Sequence, residues 1–124
     1  MKYLMRLHIL WAVSCTIGCA TRGNIADDFR SEDPKVRIAA IRRAGRDKLQ
    51  SAAPHLVERL TDSEADVRMF AIAALKEITG LTHGYRHFDN EELRFKAVDR
   101  WRQWLVERNA ESPNNQPVEE RKAG

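Results

Sequence analysis

A chain of 124 residues has room for one small domain and its core, and for little beyond it. Its formal net charge of +3 includes Lys2 and Arg6 at the extreme N-terminus, with no acid among the first eighteen residues, so the remainder carries only +1. That near-neutral balance argues against a nucleic-acid partner. Only two cysteines, Cys15 and Cys19, are present, and their proximity to the N-terminus leaves the body of the chain without a disulfide framework or a thiol metal site.

Lys2 and Arg6 open the chain, and Ile9, Leu10, Trp11, Ala12 and Val13 begin a short apolar run that closes on Thr16-Ile17-Gly18-Cys19. About thirteen uncharged residues, Ile9 to Thr21, separate His8 from Arg22, too few for the ~20 of a spanning helix. A positive start followed by a short apolar run is the secretory pattern. With Gly18 before Cys19, the segment resembles a bacterial lipoprotein signal, although Thr16 stands where that family prefers leucine. Ala12-Val13-Ser14-Cys15 is a second possible box with a very short apolar run. The plain alternatives are an uncleaved anchor or an ordinary secretory peptide. The resemblance implies removal of residues 1–18, acylation of Cys19 and a tether over residues 19–24. A thioether lipid plus an acylated amine exceeds the single chain that gives only marginal membrane binding. Ala20, where aspartate would retain an enteric lipoprotein at the inner membrane, implies the periplasmic face of the outer membrane.

From residue 25 the chain repeats with a period of 31. Val36 and Arg37 match Val67 and Arg68, Ala40 matches Ala71, Ile41 matches Ile72, and Phe29 and Ile25 match Leu60 and Leu56. A period of this length marks stacked helical units, none of which can bury its apolar face alone. Ile25 to Phe29 is then a fragment of a preceding unit that covers the Val36 helix, or else part of a disordered tether. Asp33 before Pro34 starts the first full helix, with Val36, Ala40 and Ala44 on one face, Ile41 beside them and Gly45 near its stop. A short helix from Pro54 presents Leu56, Val57 and Leu60. Asp62 or Ser63 caps the next, which runs to Thr79-Gly80 with a stripe of Val67, Ala71, Ala74, Leu75 and Ile78.

The residues Asp33-Pro34-x-Val36-Arg37-x-Ala39-Ala40-Ile41-x-x-Ala44-Gly45, Ala53-Pro54-x-Leu56-x-x-x-Leu60-x-Asp62 and Val67-Arg68-x-x-Ala71-x-x-Ala74-Leu75 resemble HEAT repeats, in the short subtype first described in phycobilisome lyase subunits. The lyase label implies no lyase activity. The resemblance implies that Arg37 and Arg68 brace one repeat against the next through a carboxylate, for which Asp62 is the clearest candidate. Residue 31, the counterpart of Asp62, is serine, which interrupts a regular ladder.

After Gly80 the period breaks, and Leu81 to Asn90 reads as a loop. Asn90 followed by Glu91 and Glu92 opens a long helix to about Arg108, with Leu93, Ala97, Trp101, Trp104 and Leu105 as its apolar stripe. Thr79-Gly80…Gly84-Tyr85…Arg94-x-x-Ala97-Val98-x-x-Trp101-x-x-Trp104 resembles a terminal segment of bacterial HEAT-repeat proteins, and two tryptophans three apart can seal the end of a stack. Residues 109–124, with Pro113, Pro117 and little apolar content, read as a disordered tail. The expected fold is all-α: a short HEAT-like solenoid over residues 25–108, of about two repeats plus a long capping helix.

Chemistry is sparse. His83 and His87 with Asp89 lack further ligands for zinc, so no metal is expected. Nothing orders a nucleophile–base pair, no phosphate loop is present, and neither a cofactor nor catalytic residues are expected. Residues 35–48 carry Lys35, Arg37, Arg42, Arg43, Arg46 and Lys48 against only Asp47. Arg42, Arg43 and Arg46 are candidates for contact with an acidic partner or with anionic headgroups, set against the bland reading of a solvated face. The sequence reading is a monomeric, non-enzymatic interaction module, anchored in the cell envelope and binding another envelope protein. The alternative is an accessory or lyase-like enzyme subunit that binds a small molecule near Tyr85, His83, His87 and Trp101.

Overall fold

A computed structural model describes residues 23–112. The signal segment with Cys19 and the tail from residue 113 onward lie outside the described residues. Asp33 accepts a hydrogen bond from the Lys35 backbone N–H at 2.8 Å and starts α2 (Pro34–Arg46), with proline in the first turn where its missing donor costs nothing. Before it, Asn24 caps the short α1 (Ile25–Asp28). A 3₁₀ turn (Gln50–Ala52) leads into α3 (Ala53–Arg59), again with a proline in its first turn. Then follow α4 (Ala65–Thr79) and α5 (Glu91–Glu111), the latter capped by the Asn90 side chain. All regular structure among the described residues is helical.

The helices stack as the period requires. α2 packs on α4, α3 lies against α4 and α5, and α1 lies on α2. The α4 stripe of Val67, Ala71, Ala74, Leu75 and Ile78 is buried, as are Leu56, Val57 and Leu60 of the short segment before it. Phe29 is only 1% exposed and stacks on His55 at 5.4 Å, so the chain is already part of the core at this point instead of a tether.

One local expectation is sharpened and three are corrected. Gly45 lies inside α2, buried against α4, where a Cβ would stand 3.1 Å from Ala74 Cα and Cβ. It does lie near the stop, since the helix ends one residue later at Arg46 and closes through Asp47 and a left-handed Lys48, but its role is that of a close-approach glycine. Gly45→Val is expected to cost about 1–3 kcal/mol by overpacking against backbone that cannot yield, read as a lower urea midpoint at unchanged slope. The cap of α4 is Glu64, with no side-chain bond, because the Asp62 carboxylate is engaged elsewhere and Ser63 stands a residue too early. Val36 is 37% exposed where Val67 is fully buried, since α1 is too short to give α2 the neighbour that α2 gives α4. On α5 the buried face is Ala97, Val98 and Trp101, with Leu93 48% exposed, and the helix runs to Glu111 instead of ending near Arg108.

Candidate interaction surface

The turn before α4 gathers three arginines on one aspartate. Asp62, its side chain 4% exposed, pairs with Arg37 Nε at 3.0 Å and accepts from Arg37 Nη2 at 3.1 Å. It also takes Arg59 Nη1 at 3.3 Å and the Glu64 backbone N–H at 3.1 Å. Arg37 Nη1 donates to the carbonyls of Ser31 and Glu32 at 2.7 and 3.0 Å, and Arg68 Nη1 donates to those of Asp62 and Ser63 at 2.8 and 2.9 Å. These acceptors are themselves 31 residues apart. Each arginine thus holds the turn before its own helix, and of the two only Arg37 also meets a carboxylate of the next repeat, since the position equivalent to Asp62 for Arg68 is Leu93.

Along the other side of the α2–α4 contact runs an open depression of about 430 Å³. Phe70, Ala73 and Ala74 of α4 form its apolar floor with Gly45, and Arg42, Arg46 and Lys48 stand over it, with Glu77 the one acid at its edge. The Arg42 guanidinium lies 5.9 Å from the Phe70 ring centroid. No ion pair among the described residues takes up Arg42, Arg46 or Lys48. Arg43 faces elsewhere: it borders a separate depression beside Ile25 and Val36, and its Nε lies 3.8 Å from Asp47. At about 100° per residue Arg42 and Arg46 lie about 40° apart around the helix, whereas Arg43 is turned about 100° from Arg42 and about 60° from Arg46. The cations of α5 are already engaged, Lys96 with Glu92, Arg102 with Asp99, and Arg94 and Arg100 with the carbonyls of Asp89 and His83.

Residues 25–85 match the family model described as HEAT repeats. This segment has the fold of a short HEAT-like helical solenoid. Neither the curated proteins nor the solved structures yield a match to the chain. HEAT repeats generally mediate protein–protein contact, each unit adding to an extended surface.

The fold does not bring Tyr85, His83, His87 and Trp101 to one cavity. Trp101 is fully buried and donates from Nε1 to the Thr82 carbonyl at 3.1 Å, with His83 edge-on to it at 4.5 Å. Tyr85 and His87 border a different, open depression with Met69 and Phe88. The Tyr85 hydroxyl is spent on the Leu60 carbonyl at 2.6 Å, tying the loop to the end of α3. No group of three histidine, cysteine or acidic side chains among the described residues could hold a metal ion. Burial raises the Tyr85 phenol above its usual pKa of 10.0, against the smaller opposing pull of Arg68 and Arg94. Because the folded value is the higher one, this stabilisation is complete below pH 10 and is lost as pH rises through the folded value. Tyr85→Phe is expected to cost about 1–2 kcal/mol at neutral pH, by leaving the Leu60 carbonyl unpaired. Denaturation series from pH 8 to 11 check both effects, since the variant loses this share of the alkaline decline.

Proposed function

We propose that the chain is a lipid-anchored, non-enzymatic interaction module of the bacterial cell envelope, built on HEAT repeats of the short phycobilisome-lyase type. It acts as a monomer and binds another envelope protein, without a cofactor or nucleic acid. The observation that carries this reading is the pair Arg42 and Arg46 on the repeat array, cations with no ion-pair partner among the described residues, standing over an open, partly buried apolar floor. Arg43 supplies a third positive charge on the neighbouring face. Attachment rests on Cys19, supported by the positive start, the short apolar run and Gly18 beside it. The outer-membrane periplasmic face follows from Ala20.

Intact-mass analysis of the chain purified from membranes tests the anchor. The expected species starts at Cys19 and carries a diacylglyceryl group and an acylated amine, and Cys19→Ser abolishes both processing and membrane retention. An unmodified chain starting at Met1 would refute the anchor. Charge reversal at Arg42, Arg43 and Arg46 tests the interaction face: cross-linked envelope protein is expected to be lost, while retention of every adduct would refute it.

A further inference from the structure

Within the depression, Lys48 is held in a left-handed backbone conformation, φ 48°. It closes α2, its N–H donating to the Gly45 carbonyl at 3.1 Å and the N–H of Leu49 to the Ala44 carbonyl at 3.0 Å. Helices usually end this way on glycine, which has no Cβ to strain, and α4 does so at Gly80, φ 75°. At the corresponding end of α2 a lysine takes the strain, and its ammonium is without an ion-pair partner among the described residues. Strain of this kind at a surface site points to a use for the side chain.

We infer that the depression between α2 and α4 is the docking groove for an acidic amphipathic helix of a partner protein, with Lys48 kept in its strained conformation to complete a row of three cations. This rests on the interaction-module reading and specifies its partner. The floor of Phe70, Ala73 and Ala74 gives an apolar side chain about 430 Å³ to enter, and small residues let a helix backbone approach. Arg42, Arg46 and Lys48 then face carboxylates on the flanks of that helix. A flat membrane surface would leave the concave floor unfilled.

The test uses the full chain in non-ionic detergent and a labelled helical peptide with leucines on one face and glutamates on the other, read by fluorescence anisotropy. The wild-type chain is expected to bind it, and Arg42→Glu with Arg46→Glu to abolish binding. Lys48→Gly is the decisive variant: it is expected to raise Tm by a few degrees while weakening binding about fivefold. A variant that is more stable yet binds less well cannot be explained by misfolding. The groove assignment is overturned if Lys48→Gly binds as well as wild type, or if a peptide with glutamine in place of glutamate binds equally. It is also overturned if phosphatidylglycerol vesicles, and not the peptide, show this dependence on the three cations. Failure here with a cross-linked envelope partner still captured rejects the groove alone; failure to capture any protein partner on membranes rejects the broader reading.

Discussion

Asp62→Ala is expected to lower the unfolding free energy by about 3–5 kcal/mol, a large share of the ~5–15 kcal/mol that holds a typical domain together. The size comes from what is left behind. Arg37 has a side chain only 10% exposed, and without Asp62 its buried guanidinium keeps the Ser31 and Glu32 carbonyls but no counter-charge. Arg59 loses its acceptor and the Glu64 N–H loses its partner in the same step. Chemical denaturation followed by circular dichroism gives the value. Replacing Arg37 and Asp62 together by apolar residues of similar volume is expected to recover most of the loss, since the penalty lies in the uncompensated charge more than in the absence of the pair. Additive losses in that double variant would mean that the two residues act separately.

Trp101→Ala is expected to cost about 3–5 kcal/mol, through the cavity left by a fully buried indole. The same ring anchors the loop after α4 by its bond to the Thr82 carbonyl and its edge contact with His83. Loss of the ring therefore releases the loop that carries Tyr85 as well as the α5 packing. Trp104 is half-buried, lies 5.4 Å from Trp101 and has the Arg108 guanidinium 4.9 Å from its ring centroid. Trp104→Ala is expected to be clearly milder. Guanidinium titrations of the two variants rank them, and equal losses would contradict the assignment of the stack's seal to Trp101.

Much of this architecture is legible in the period of 31. It places the α4 stripe correctly because α2 and α3 both pack against α4, so its amphipathic spacing and its burial coincide. The same period misleads at Val36, which occupies the position of Val67 without a preceding helix to cover it. Spacing alone also fails on α5, where Leu93 and Val98 are both apolar and only packing against α3 decides that Val98 turns inward. Gly45 reads correctly as lying near the helix stop, but its packing role is set by Ala74, 29 residues away, and is invisible in the sequence.

The site was legible in part. The basic run over residues 35–48 signals a charged face, but adjacency in sequence groups Arg43 with Arg42, and helical rotation separates them. Lys48 joins Arg42 and Arg46 only because the chain turns left-handed there, and nothing in a lysine's identity announces that. The apolar floor contributed by Phe70 and Ala73 comes from another repeat, so the groove exists only once the repeats are stacked.

The most direct measurement is photo-cross-linking in intact cells, with a photoreactive residue at position 73 in the groove floor or at position 96 on the exposed side of α5. The expected result is a discrete protein adduct from position 73, absent from position 96 and lost when Arg42 and Arg46 are reversed to glutamate. No adduct from position 73, or the same adducts from both positions, would contradict a partner-binding role for this face of the helical array.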